Sequence, residues 1–189
     1  MKMRCLLISR TGTSDIDKDS NLAENEISDM NRKTNIQLNL SPAERAKLRA
    51  NKVKKSEITD FAVDELAQML EVPIERAKEL YALADFQQIP SVGIRFAEDL
   101  IFLGYYSVDE LKGLDGAKLT EAYERKKGYW IDPCVEDQFR LVVYFADTHD
   151  YSKNWWDFTP ERKQYRLEKD YPSNRPVTAW YEVLGINRK

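Results

Sequence analysis

Residues that build covalent or metal-bound frameworks are scarce in this chain: 189 residues include two cysteines, Cys5 and Cys134, and one histidine, His149. No disulfide framework follows from such a pair, and the expected compartment is a reducing cytoplasm. A single histidine excludes a histidine dyad or a His-rich metal site, and two widely separated cysteines do not make a zinc site. No serine is flanked by nucleophile-elbow glycines, and the carboxylates are too scattered to nominate a catalytic pair. We therefore expect no enzyme, no cofactor, no metal and no small-molecule substrate. Glycine and proline are sparse too, at seven each, which suits helices joined by short turns better than a many-stranded sandwich. Near the start, the apolar run Cys5-Leu6-Leu7-Ile8 is too short for a signal-peptide core or a membrane span, so no membrane partner is expected. Excess positive charge is also missing. A formal net charge of −3 and a pI near 5.4 weigh against the basic footprint usual for a duplex binder.

What is present is the mixture of an ordinary soluble domain, 42% hydrophobic and 32% charged, long enough for one real core. The acidity hides one basic stretch. Between Ala43 and Lys55 stand Arg45, Lys47, Arg49, Lys52, Lys54 and Lys55 against the single acid Glu44. It reads equally as a solvated helix face or as an arm that tracks phosphates.

Organisation follows from caps and periodicity. Thr11 to Asn39 is polar with no sustained apolar period, so residues 1–39 are expected to be a disordered tail whose removal leaves folding intact. Ser41-Pro42-Ala43-Glu44 is a capping box with proline at the first helical position, opening a helix to about Asn51. Helices are expected over Val63–Leu70, from Pro73 to about Phe86, and from Ile94 to Leu103 with Gly104 as the stop. Ser107-Val108-Asp109-Glu110 reads as a second capping box. Asp115 caps a helix that Gly128 ends, Asp132-Pro133 opens a strongly apolar one, and Thr159-Pro160-Glu161 caps the last, to about Lys169. Val63-Asp64-Glu65-Leu66 recurs as Val108-Asp109-Glu110-Leu111, consistent with two related helical units stacked together. Residues 40–150 would form the helical domain and 151–189 an aromatic-rich, irregular extension wrapped back onto it.

The segment from Phe86 to Ala97 is the most informative. Pro90 disfavours helix at Ile89, so the preceding helix ends there. Gly93 permits a backbone conformation or a close approach that a side chain would obstruct. Ala97 lets the second helix sit tightly on its neighbour, and Val92 plugs the space between the two. The result is a tight turn, Pro90-Ser91-Val92-Gly93-Ile94, with unpaired backbone N–H groups at the start of the second helix and Arg95 beside them as a charge partner for a phosphate oxygen. These residues resemble the helix-hairpin-helix motif, apolar-Pro-Gly-apolar-Gly with alanine four on, except that Ser91 stands at the first glycine. The continuation Leu103 to Leu111 is similar to the segment found after such hairpins in DNA-repair and recombination proteins.

A broader resemblance runs from about Leu40 to Tyr181. The hairpin, Asp132-Pro133-Cys134-Val135, Phe139-Arg140 and Trp155-Trp156-Asp157-Phe158 together resemble the bacterial pathogenicity-locus family, whose members are also labelled mitomycin-resistance proteins. The resemblance implies a small all-α protein of helix-hairpin-helix, SAM-like fold with no assigned catalysis, and its labels imply a role in DNA-damage tolerance. The expected partner is duplex DNA, held through Pro90 to Arg95 and through Lys52, Lys54 and Lys55. The alternative is an adaptor that uses the hairpin as scaffold and docks another protein, for instance in a repair assembly. Cys134 is expected to be buried and inert, since Asp132, Glu136 and Asp137 oppose a thiolate. The Trp155-Trp156 pair is expected to close the core from a loop rather than to stack on bases.

Overall fold

The computed structural model describes residues 35–185, which are mostly helical; among them there is no strand, only one bridge pairing Trp130 with Ala179. We number the helices α1 (Pro42–Ala50), α2 (Val63–Leu70), α3 (Ile74–Phe86), α4 (Ile94–Leu103), α5 (Gly116–Lys127), α6 (Pro133–Thr148), α7 (Thr159–Lys169) and α8 (Trp180–Val183). Short 3-10 turns span Lys55–Asp60, Asp109–Leu111 and Trp155–Phe158. None of these helices is long and apolar enough to cross a membrane.

Helix ends follow local chemistry wherever a cap has no competitor. At α1 the Ser41 hydroxyl accepts the Glu44 N–H at 3.2 Å while the Glu44 carboxylate accepts the Ser41 N–H at 2.6 Å, which closes the capping box. The Asp115 carboxylate takes the N–H groups of Ala117 and Lys118, and Gly104 and Gly128 end α4 and α5 in the left-handed conformation that lacks a Cβ penalty. Two expected caps do not form. Ser107 opens no α-helix: the Val108 N–H donates to Asp85 at 2.7 Å, so the second Val-Asp-Glu-Leu forms a single 3-10 turn where the first starts α2. Thr159 turns its hydroxyl to Asp137 at 2.8 Å instead of capping α7.

The core is one apolar mass. α3 contributes Ala77, Leu80, Leu83 and Phe86, and α6 contributes Phe139, Leu141, Val142 and Phe145, all nearly inaccessible. Phe139 meets Phe96 of α4 edge-on at 4.9 Å and Tyr123 of α5 at 5.6 Å, so three helices converge on one ring. α5 crosses α6 closely at Gly116, where a Cβ would stand 2.7 Å from the Arg140 Cα.

Residues 35–40 correct the expected tail. They lie against α3, with Ile36, Leu38 and Leu40 buried and Asn35, Gln37 and Asn39 exposed, an alternation of period two. Gln87 holds them at two points: its Oε1 accepts the Gln37 N–H at 3.1 Å and its Nε2 donates to the Gln37 carbonyl at 2.7 Å. Arg76 fixes the other end by donating to the Asn39 carbonyl at 2.6 Å. The tail boundary at residue 39 is therefore wrong by several residues, because three buried aliphatic side chains contribute about 1.5–3 kcal/mol each. Residues 1–34, where the rest of that reading and Cys5 fall, lie outside the described residues.

The chain beyond residue 150 packs on α5 and α6 through buried charge. Arg162 reaches Asp137 at 2.7 Å, Arg166 and Arg140 share Glu136 at 3.0 and 2.8 Å, and Arg175 reaches Glu124 at 2.6 Å. Glu124, Glu136 and Asp137 are almost wholly inaccessible. The Trp130 N–H donates to the Thr178 carbonyl and the Trp180 N–H to the Trp130 carbonyl, both at 2.9 Å, which lays the last segment against the α5–α6 connection.

Candidate functional site

The turn between α3 and α4 is built as a rigid reverse. Ile89 and Val92 are buried beneath it, and the Val92 N–H donates to the Ile89 carbonyl at 3.2 Å. Ala97 is fully buried, so the two helices approach closely there. Ser91 occupies the left-handed region at φ +57°, the conformation glycine adopts freely and other residues adopt at a cost of about 1 kcal/mol. Its hydroxyl is engaged: the Trp155 N–H donates to Ser91 Oγ at 3.2 Å, which ties the turn to the 3-10 segment of the C-terminal extension.

Of the two roles expected of Gly93, a special backbone conformation is not needed. Its φ of −110° is open to any residue, and a Cβ built on it would meet no atom within 4 Å. The fold makes no demand for glycine there; the vacant volume faces outward. Gly93 is the N-cap of α4 and makes no side-chain bond, which leaves the N–H groups of Ile94, Arg95 and Phe96 at the first turn with no intrahelical acceptor. Arg95 is exposed and makes no ion pair among the described residues. These groups border a hollow of about 450 Å³ whose remaining wall carries the carboxamides of Asn35, Gln37, Gln87 and Gln138. The nearest acids on α4 are engaged elsewhere. Glu98 accepts from the Asn39 amide at 2.7 Å, and Asp99 accepts from the Tyr123 hydroxyl. Burial raises the Asp99 pKa against the opposing effect of that bond, and burial together with Asp99 raises the Tyr123 phenol.

The basic arm is carried by α1 and the residues that follow it. α1 begins against the N-terminal end of α3, where Glu44 pairs with Arg76 at 2.9 Å, whereas the turn follows Gln87 at the other end. About 16 Å of helix axis separates those ends at 1.5 Å per residue. Lys52 and Lys55 are exposed, and Lys54 pairs with Glu57 at 2.9 Å.

Two further expectations, on Cys134 and on the tryptophan pair, meet the structure with mixed results. Cys134 is exposed, not buried. Its thiol pKa is raised first by partial desolvation and then by the Asp132 carboxylate, so the thiol resists ionisation even though it is exposed. His149 ends α6 in the left-handed conformation, its ring 5.6 Å from that of Phe145. The tryptophan pair divides: Trp155 packs half-buried on the core, while Trp156 is 52% exposed and meets its neighbour edge-on at 5.4 Å. Among the described residues no group of three His, Cys, Asp or Glu side chains is placed to hold a metal ion. The buried arginine–carboxylate network escaped the sequence reading altogether. Its one local signal was Arg140 four residues after Glu136 on a helix otherwise apolar along that face.

The turn, the Trp155–Phe158 segment and most of the charge network fall within residues 79–164, which a family model described as Pathogenicity locus matches. No curated protein and no solved structure matches the chain. Over residues 79–164 the chain is similar to the pathogenicity-locus family.

Proposed function

We propose that α3, the Pro90–Gly93 turn and α4 form a helix-hairpin-helix of SAM-like type that binds duplex DNA through its phosphates, without reading bases. The observation that carries this reading is the start of α4. Its first-turn N–H groups lack intrahelical acceptors, the space a Gly93 side chain would fill is open, and exposed Arg95 stands next to them. Backbone donors at a helix start, reinforced by the helix dipole and one guanidinium, recognise phosphate oxygens in any sequence. Lys52, Lys54 and Lys55 supply a second contact, since a duplex presents a phosphate charge every ~1.7 Å along its axis. A role in DNA-damage tolerance, in the company of a repair protein, rests on the family labels alone.

A salt titration of binding to random-sequence duplex tests this reading. Affinity should fall steeply as salt rises, and Arg95→Ala should weaken binding and make the logarithmic slope shallower by roughly one. Absence of duplex binding at low salt would overturn it in favour of the adaptor. That second reading has its own observation: Leu167, Val177 and Leu184 are 81%, 95% and 62% exposed on the extension, apolar surface suited to a protein partner.

A further inference from the structure

We infer that Trp156 stacks on an unpaired nucleobase, which directs the site to DNA whose strands are locally open, such as ends, gaps and single strands. The inference rests on the phosphate-binding reading of the turn and adds the class of DNA preferred.

The indole is carried by a segment that is anchored at both of its neighbours. The Trp155 N–H is bonded to Ser91 Oγ at 3.2 Å, so the 3-10 segment is fastened to the turn itself. Trp156 is the next residue, one Cα step of about 3.8 Å farther on. Its base is rigid. Phe158 is buried beneath the segment, edge-on to Tyr144 at 5.4 Å, and the Asp157 carboxylate accepts the Asn154 N–H at 2.8 Å. Trp155 packs on the core and meets Trp156 edge-on, an arrangement that leaves Trp156 52% accessible. A large apolar ring is therefore presented to water on a support that is already ordered, so little conformational freedom is lost when it meets a ligand.

The chemistry at this place favours a nucleobase. The segment is fastened to Ser91, four residues before exposed Arg95 on the first turn of α4, and exposed Lys153 precedes the ring in the chain. Donors and cations that take a phosphate, next to an aromatic face, are the two halves of a single-strand binding platform. The one acid in the segment, Asp157, is turned back onto the Asn154 N–H. An intact duplex keeps its bases stacked on one another and offers the indole no free face, whereas an unpaired base offers a π-surface whatever its identity. Trp156 thus discriminates by strand state rather than by sequence.

The test compares full-length protein on a short oligothymidine, a gapped duplex and a blunt duplex of equal length, at one low salt concentration. The oligothymidine and gapped duplex should bind roughly tenfold more tightly than the blunt duplex, and Trp156→Ala should remove that difference while leaving blunt-duplex affinity in place. Trp156→Phe, which keeps a ring on the same support, should retain most of the preference, and far-ultraviolet circular dichroism should be unchanged in both variants. Intrinsic tryptophan emission should be quenched by oligothymidine in the wild type and far less in Trp156→Ala. Equal affinity for all three ligands, insensitive to Trp156, overturns the inference and leaves the phosphate reading standing. Binding to none of them overturns both, and loss of a protein partner on Trp156→Ala in place of DNA would assign the indole to the adaptor surface.

Discussion

The two ends of the described chain are fastened to the same helical body by opposite means. Residues 35–40 are held by aliphatic burial at Ile36, Leu38 and Leu40, with one inaccessible glutamine, Gln87, pairing the backbone. The C-terminal extension is held by arginines that reach into α5 and α6 for inaccessible carboxylates. Apolar burial is tolerant, because the loss scales with the surface removed. A buried ion pair is intolerant, since taking one partner leaves the other desolvated and unpaired. The same contrast separates carboxylates within the body. Asp137 has the Arg162 fork, whereas Asp85 and Asp99 have no arginine and rely on the Val108 N–H and on the Tyr123 hydroxyl with Lys127 at 4.0 Å.

The largest effect should come from the ionic side. Arg162→Ala strands Asp137, which is 0% exposed, and should lower stability by about 3–5 kcal/mol in urea unfolding. The Asp137→Leu, Arg162→Met pair should recover most of that loss, because well-packed apolar residues replace a buried pair at little cost. A double variant as unstable as Arg162→Ala would break the comparison, since the attraction itself would then outweigh the desolvation.

Truncation should give the next largest effect. A chain beginning at residue 39 loses Ile36 and Leu38 and should be less stable than one beginning at residue 35 by about 3 kcal/mol, seen as a lower thermal midpoint. Equal midpoints would mean that the segment packs without contributing.

The smallest effect is a pH dependence of the carboxylates held without an arginine. Burial raises the folded-state pKa of Asp85 and Asp99 above the usual aspartate range. Between the unfolded and folded values the folded protein binds more protons than the unfolded chain, so these two groups destabilise at neutral pH and less so as pH falls toward about 4. Asp85→Asn and Asp99→Asn should each flatten this part of the stability–pH profile, measured as thermal midpoint between neutral pH and about 4. Glu44 gives the opposite sign. Its bond with Arg76 lowers its pKa, so its contribution is present at neutral pH and is lost as pH falls through the carboxylate range.

Much of this architecture was legible residue by residue. Val63–Leu70 and Ile94–Leu103 form helices over the expected residues, and Asp115 and Gly128 bound α5 as a cap and a stop should. A cap joins an oxygen to an N–H two or three residues away, and a left-handed stop concerns a single residue, so both are written in adjacent positions. The Pro90–Gly93 reverse was legible for the same reason, down to the burial of Val92 and Ala97. The function of its glycine was not. Whether Gly93 serves the fold or leaves space outside it depends on which atoms surround the missing Cβ, and a sequence does not place them.

Local signals alone determined the helices, their ends and the turn, because each is decided by groups within one or two turns of chain. Tertiary structure decided what those signals could not reach. Thr159 is a sound cap whose hydroxyl turns to Asp137 instead, and the Val108 N–H beside Ser107 is taken by Asp85. Residues 35–40 carry a period-two pattern too short to stand out from a polar tail, and it acquires meaning only where Gln87, 50 residues on, receives it. Arg162 and Arg175 find Asp137 and Glu124 across 25 and 51 residues. A charged residue looks the same in sequence whether it ends in water or against a buried partner, and the difference between those fates is made by desolvation once the helices have packed.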